Sequence, residues 1–195
     1  MENLAKFHNA TENTTDIFKE QKFHKGRNLL EVMNKHSSEI LRIKNYIKKR
    51  KNKNAFEMYL QNIIEEYYIQ SVEALGAIKN SRYEQLYKES IASETIYHGS
   101  YNYHNVLIKE NKIIMINMMK ISYSPSVQDC MTSSEKCLKK LTGNIALGNE
   151  LIKAYDSVRK LSDMERAVLK SLLSYPEKFW KIINYYYNSN KSLVF

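Results

Sequence analysis

The residues whose types and spacing could do chemistry lie between positions 97 and 118. His98 and Ser100 come first, Asn105 follows them, and Asn117 stands twelve residues beyond Asn105. An amide oxygen can ligate a hard cation such as magnesium, but it carries no charge, and magnesium favours anionic carboxylates. A serine hydroxyl has no useful basicity near neutral pH, so it cannot serve as a general base. These four residues therefore predict a site that lacks the groups needed to move a proton or hold a divalent ion tightly.

The same spacing is similar to the catalytic loop of kinases, which reads H-x-D-x-x-x-x-N and is followed one strand later by a second aspartate. In kinases the first aspartate accepts the proton of the substrate hydroxyl, and the asparagine and second aspartate hold magnesium. His98 and Asn105 match this frame, whereas Ser100 and Asn117 replace the two aspartates. General-base assistance alone is worth roughly 10²–10⁴-fold in rate. We therefore expect no active catalytic residue and no bound cofactor, only a vestigial ATP and magnesium site in which Asn105 and Asn117 are the vestigial metal positions.

Structural roles are the alternative for each polar residue of this region. His98 is expected to hold the loop by hydrogen bonds, and His104 to be a packing residue rather than a base. Asn105 is expected to brace the loop through its amide in preference to binding a metal ion. Asp129, farther along the chain, is expected to be structural.

Most of the chain is expected to be helical, because only 5 Gly and 2 Pro interrupt 195 residues. Apolar residues recur at three and four positions from Leu29 to Ile47 and from Phe56 to Ile78, which predicts a long antiparallel helical hairpin. Short β-type runs surround the loop, and helices are expected to cover this small sheet. These runs span 95–98, 105–108 and 112–117. A capping box from Ser162 to Glu165 and a first-turn Pro176 mark the starts of the C-terminal helices. Together these patterns predict a fold that is mainly α with a small β element (α+β).

The net charge of +9 is concentrated in one basic cluster. The cluster contains no acidic residue and consists of Arg42, Lys44, Lys48, Lys49, Arg50, Lys51 and Lys53. It could bind an anionic surface, although a solvated helix end is the simpler interpretation, since cations also suit the dipole there. No nucleic-acid motif accompanies it, so specific nucleic-acid binding is not expected.

Two cysteines, Cys130 and Cys137, are too few for a zinc site, and they are expected to be reduced, buried side chains on one helix face. No apolar run reaches the roughly 18 residues of a membrane span, and no signal peptide is recognisable at the start. These features predict a soluble protein made in the cytoplasm. At 195 residues, a single domain over 1–195 is the expected organisation.

Four segments resemble the spore-coat CotS family, a branch of the aminoglycoside-phosphotransferase-like kinases. Leu4–His8 resembles the helix that follows the interlobe hinge, and His98–Asn105 resembles the family's HGD-x-x-x-HN loop. Val127–Asp129 resembles the opening of the next helix, whose aspartate usually braces the catalytic loop. Tyr175–Asn188 resembles the long closing segment of the family, which is the most specific of the four.

The resemblance covers nearly all of the chain but only the C-terminal lobe of the family, so the N-terminal lobe that grips the nucleotide is expected to be absent. It implies a catalytically inactive (pseudokinase) fragment that acts in coat assembly by protein–protein binding, with other spore-coat proteins as partners and the spore coat as destination. Exposed tyrosines among the 15 in the chain would suit such contacts, or else fill the core. Two alternatives stay open: a phosphotransferase that works with a separately encoded N-lobe, and a degraded gene remnant.

Overall fold

The computed structural model describes residues 1–12, 21–110, 112–140 and 144–188. The chain folds into two compact units, each built from two separate stretches of sequence. The first unit comprises Met1–Arg27 and Arg82–Leu173, and the second comprises Asn28–Ser81 and the chain from Ser174 onward. The interpretation of 1–195 as one domain stays a prediction.

The first unit contains the loop that carries His98 and Asn105. Its helices are α1 (Glu2–Glu12), α4 (Tyr83–Ala92), α5 (Val127–Lys140), α6 (Ile145–Asp156) and α7 (Asp163–Ser174, whose last residue belongs to the second unit). Its strands are β1 (Ile96–Tyr97), β2 (Val106–Lys109), β3 (Lys112–Met115) and β4 (Ser122–Tyr123). Single 3-10 turns at Tyr103–Asn105 and Met118–Lys120 lead into β2 and β4.

The strands of the first unit form two separate two-stranded antiparallel sheets. In the first, Ile96 pairs with Tyr123, so β1 and β4 bring the two ends of the loop region together. In the second, β2 and β3 form a hairpin in which Leu107 faces Ile114. The sequence correctly predicts β1, β2 and β3, but the expectation that helices cover one small sheet is wrong for the hairpin, whose apolar side chains are largely exposed.

The second unit consists of α2 (Leu29–Lys49), α3 (Ala55–Asn80) and α8 (Glu177–Asn188). Its core is formed by Ile40, Ile43, Ile47, Leu60, Ile64, Phe179 and Ile183. The ring of Phe179 stacks on Tyr67 with centroids 4.0 Å apart. Burial of a side chain of this size contributes about 1.5–3 kcal/mol to the free energy of folding. Phe179 and Ile183 of α8 therefore attach this helix to the helical hairpin that the apolar spacing predicted.

Side-chain caps fix where the long helices begin. Asn28 accepts a hydrogen bond from the Leu30 amide at the start of α2. At the start of α3, Asn54 and Glu57 form a reciprocal capping box with distances of 2.9 and 3.1 Å. The predicted box between Ser162 and Glu165 is confirmed at α7, with distances of 2.8 and 3.2 Å. Such caps are worth about 1 kcal/mol each.

The remaining expectations about burial and membrane spans have mixed outcomes. Cys130 is buried as predicted, whereas Cys137, in the last turn of α5, is only partly buried. Within the described ranges, none of the helices combines the length and hydropathy that crossing a membrane requires.

Candidate functional site

The loop from His98 to Asn105 connects β1 with the 3-10 turn before β2. Gly99 makes its sharp bend possible, because its φ of 73° lies in the left-handed region. A Cβ atom at Gly99 would also come within 2.5 Å of the Lys120 carbonyl oxygen. Any other residue would therefore strain the backbone and push against the 3-10 turn at Met118–Lys120.

Asp129, in the first turn of α5, accepts hydrogen bonds from two backbone amides of the loop. Its Oδ2 accepts a hydrogen bond from the His98 amide at 2.6 Å, and its Oδ1 accepts one from the Gly99 amide at 3.0 Å. The carboxylate is almost completely buried. Both loop amides would otherwise be unpaired, so the structural role predicted for Asp129 is borne out by its bonds.

His8 of α1 contributes to the same buried network. Its Nε2 lies 3.2 Å from Asp129 Oδ2, and its Nδ1 lies 2.6 Å from the Tyr155 hydroxyl. Burial raises the pKa of Tyr155, so this hydroxyl stays neutral. The carboxylate can only accept, so Nε2 of His8 donates to Asp129, and the second ring nitrogen shares a hydrogen bond with the Tyr155 hydroxyl. Helices α1, α5 and α6 thus share one polar core beneath the loop.

The contact between His8 and Asp129 was missed by reasoning from spacing, since 121 positions separate the two residues. No pattern in the sequence indicated that Tyr155 would join this network either. The only hint in the sequence is that the segment Leu4–His8 ends on a histidine in an otherwise apolar helix face.

His98 is a completely buried part of the loop. The Ser100 amide donates to its Nδ1 at 3.1 Å, so a neutral ring carries its proton on Nε2. Burial lowers the pKa of His98, which the charge of Asp129 offsets only in part. A buried imidazole that accepts a hydrogen bond from its own loop helps to hold that loop in place.

Ser100, Asn105 and Asn117 lie next to one another, as the kinase-like frame predicts. Asn105 Nδ2 donates to the Ser100 carbonyl oxygen at 2.7 Å and to Ser100 Oγ at 2.9 Å. Asn117 Nδ2 makes a longer contact of 3.4 Å to Asn105 Oδ1. Ser100 and Asn105 are buried, whereas Asn117 is exposed and has left-handed backbone with φ 63°.

These side chains do not fit a magnesium-nucleotide site. The oxygens that they offer are a hydroxyl and two amide carbonyls, and none of them is anionic. The nearby carboxylate of Asp129 already accepts two loop amides. Over the described ranges, His, Cys, Asp and Glu do not form a cluster of three or more that could hold a metal ion. Since magnesium binds nucleotides in proteins chiefly through carboxylates, a tight magnesium complex here is disfavoured.

His104 packs against a neighbouring aromatic ring at the surface of the protein. It is exposed, and its ring lies against Tyr103 with centroids 3.9 Å apart. Its amide donates to Asn102 Oδ1, and this bond caps the 3-10 turn at Tyr103–Asn105.

The basic cluster lies in the second unit, at the end of α2 and the start of α3. Three of its members are engaged: Lys44 with Glu65 at 2.6 Å, Arg50 with buried Glu57 at 3.0 Å, and Lys53 with the Arg50 carbonyl. The other members are exposed and form no ion pair with the residues that the structure describes. These are Arg42, Lys48, Lys49 and Lys51.

Comparison with solved structures identifies the fold of the chain. No protein-family model matches the sequence, and no curated protein does either. Among solved structures, the aminoglycoside phosphotransferase from Alicyclobacillus acidocaldarius subsp. acidocaldarius DSM 446 is similar in fold, with a TM-score of 0.80 and 18% sequence identity. The match covers 98% of this chain and 56% of that protein. The chain therefore has the kinase-like fold of an aminoglycoside phosphotransferase, and it spans little more than half of that relative's length.

Proposed function

We propose that this chain is a kinase-like lobe without phosphotransferase activity, belongs to the spore-coat CotS family, and acts in coat assembly by binding other proteins. The phosphotransferase fold supports the kinase-like part of this proposal. The resemblance of Tyr175–Asn188 and of the loop to that family supports the remainder, including synthesis in the cytoplasm, deposition in the spore coat and other coat proteins as partners.

One observation carries the proposal. The side chains that stand where a kinase has its proton acceptor, metal-binding asparagine and metal-binding aspartate are hydrogen-bonded to one another. Ser100 Oγ accepts a hydrogen bond from Asn105 and has no basicity with which to deprotonate a substrate. Asn117 supplies an uncharged amide where a kinase needs an anion. The loss of the proton acceptor and the loss of the metal-binding carboxylate affect different parts of the reaction. A single compensating change would therefore not restore phosphoryl transfer.

The hydrogen-bond network that supports the loop is compatible with a binding role. The hydrogen bonds among Asp129, His8 and His98 hold the loop in place, although the loop lacks the carboxylates that catalysis would need. A lobe that preserves its shape while losing its chemistry can still present surfaces to partners, as function on a fold resides in sites and not in the fold itself.

A second candidate is a phosphotransferase that acts with a separately encoded N-lobe. It is favoured by the fold match, which leaves 44% of the solved relative (100% minus 56%) without a counterpart in this chain. The retained frame of His98 and Asn105 agrees with it as well. A degraded gene remnant, the third possibility, predicts a chain that precipitates instead of forming a defined species.

Nucleotide binding tests the proposal. The purified chain is expected to keep the same thermal unfolding midpoint with and without magnesium and ATP, alone and mixed with any β-rich lobe encoded beside it. ATP hydrolysis that disappears in the Asn105→Ala variant, while the variant keeps its helical circular dichroism, would overturn the inactive assignment in favour of the second candidate. An aggregated wild-type chain would favour the remnant.

A further inference from the structure

The start of α8 is attached to α2 by two polar contacts within the second unit. In the first, His36 Nδ1 of α2 lies 3.0 Å from Glu177 Oε2 of α8. In the second, the indole N–H of Trp180 on α8 donates to Glu39 Oε2 on α2 at 2.7 Å. A carboxylate can only accept, so Nδ1 of His36 carries the proton of the first contact. We call these four residues the α8 anchor.

The ring of His36 lies between an aromatic face and a carboxylate. It stacks on the indole of Trp180, with centroids 3.3 Å apart and planes 10° apart. The face of an indole is electrostatically negative and attracts a cation, and the Glu177 carboxylate stands at the edge of the same imidazole. The His36 side chain is 9% exposed, so little water reaches it. A positive charge on this ring therefore depends on these two neighbours.

The charge of Glu177 is coupled to its neighbours. Burial alone would raise the pKa of this carboxyl, but the hydrogen bond from His36 and the charges of His36 and Lys181 lower it below its ordinary value. Lys181 Nζ lies 3.3 Å from Glu177 Oε1 and is more than half exposed, so solvent screens its contribution. A carboxyl whose pKa is lowered by folding stabilises the folded state above its unfolded value. This stabilisation is lost as the pH falls through the folded value.

Other contacts near the start of α8 involve groups that do not titrate in acid. Burial raises the pKa of Tyr175 to about 12, so its hydroxyl stays neutral. From α3, the Gln70 amide donates to the Ser174 carbonyl oxygen at 2.9 Å. Phe179 and Ile183 hold α8 in the apolar core of the unit. Acid should therefore act on the α8 anchor before it acts on the helix as a whole.

We propose that the α8 anchor is an acid-sensitive attachment, in which protonation of Glu177 releases the start of α8 from α2. Histidines are positively charged at the acid pH at which carboxyls titrate. Neutralising Glu177 thus leaves a charged His36 ring without a carboxylate at its edge, and a buried charge that loses its partner is costly. The ring then moves away from the indole toward water. This attachment goes beyond the proposed loss of activity and does not depend on it.

Trp180 is the single tryptophan of the chain, so its fluorescence reports on the α8 anchor alone. On acidification of wild type, the emission maximum is expected to move to longer wavelength below about pH 4.3, the ordinary value for a glutamate. It should move while the helical circular dichroism is still that of the neutral protein. The release is local, because Phe179 and Ile183 keep their apolar contacts.

Two variants separate the role of the carboxylate from that of the ring. At about pH 5, where wild type keeps the contact, Glu177→Gln should already show the emission of acid wild type. His36→Phe keeps a ring on the indole that cannot be charged, so its emission should not move until the helical signal is lost. Glu31→Gln removes an exposed acid from the first turn of α2 and is the matched control, which should follow wild type.

Several results would overturn the proposal. One is a wild-type emission that changes only together with the helical signal, and another is an acid shift that His36→Phe retains in full. The same holds if Glu177→Gln has the emission of wild type at about pH 5, or if Glu31→Gln shifts as far as Glu177→Gln does. Should Glu177→Gln lack the helical signal of wild type, the comparison of wild type with His36→Phe decides. None of these results bears on nucleotide binding, so the two conclusions fail separately.

Discussion

Asn105 Nδ2 lies 2.9 Å from Ser100 Oγ and 2.7 Å from the carbonyl oxygen of the same residue. The amide thus uses its two donors inside the loop, and the serine hydroxyl uses a lone pair to accept from the amide. In a phosphotransferase the corresponding pair would be an asparagine on a metal ion and a carboxylate on a substrate hydroxyl. The pair here stabilises the loop, and this difference leads to the following predictions.

Asn105→Asp is expected to destabilise the protein by about 1–3 kcal/mol, since a buried carboxylate cannot donate to the Ser100 carbonyl oxygen and repels it. Urea unfolding followed by circular dichroism measures the change. Asn149→Asp, on the exposed side of α6, is the control and should stay within about 0.5 kcal/mol of wild type. Equal stabilities of wild type and Asn105→Asp would mean that the amide does not brace the loop.

Asp129→Asn is expected to cost roughly 2–4 kcal/mol, because the new amide group must face either a loop N–H donor or His8. The same unfolding experiment gives the value. Asp163→Asn changes an exposed acid in the first turn of α7 and should cost less than about 1 kcal/mol, from the helix dipole alone. A small effect at Asp129 would contradict its role as the support of the loop.

The lowered pKa of His98 makes stability depend on pH in a defined direction. Burial favours the neutral ring in the folded state, whereas the unfolded ring titrates near its usual value of about 6.5. The unfolded state therefore binds more protons below that value, and the contribution of His98 is fully present above it and lost as the pH falls. The slope is at most about 1.4 kcal/mol per pH unit for one group.

His98→Asn tests this dependence, because its Oδ1 can replace Nδ1 as the acceptor for the Ser100 amide without titrating. Its free energy of unfolding should decline less than that of wild type between neutral pH and about pH 5. His104→Asn removes an exposed ring and should retain the wild-type slope. Parallel pH curves for wild type and His98→Asn would show that the buried ring is not the titrating group.

The basic cluster is predicted to bind anionic surfaces through its exposed members that lack an ion pair among the described residues. Lys48→Gln combined with Lys49→Gln should elute from a sulfated polyanion column at clearly lower salt than wild type, since each lost contact reduces counterion release. Lys79→Gln with Lys178→Gln removes the same charge from the second unit outside the cluster. If both double variants elute alike, net charge and not the cluster determines binding.

The sequence was informative where local patterns decide the structure. The apolar repeats gave α2 and α3, the Ser162–Glu165 box gave the start of α7, and the kinase-like frame brought Ser100, Asn105 and Asn117 together. β4 escaped prediction, because a two-residue strand has no periodicity and forms through its pairing with β1 and with the backbone around Lys25, both distant in sequence. The link from His8 to Tyr155 and Asp129 escaped for a similar reason, as no spacing rule reaches across 147 positions. The exposure of the hairpin also depends on what packs around it, and the apolar runs of β2 and β3 alone do not indicate it.

The central claim is that the loop lacks a charged oxygen for a divalent ion. Isothermal titration with Mg²⁺, on wild type and on the Ser100→Asp/Asn117→Asp double variant, tests it most directly, since it needs neither a nucleotide nor a second lobe. We expect no saturable binding to wild type and measurable binding to the double variant, where a carboxylate at position 117 joins the Asn105 oxygen and one at position 100 adds negative charge beside it. Saturable Mg²⁺ binding to wild type that Asn105→Ala abolishes would contradict the account.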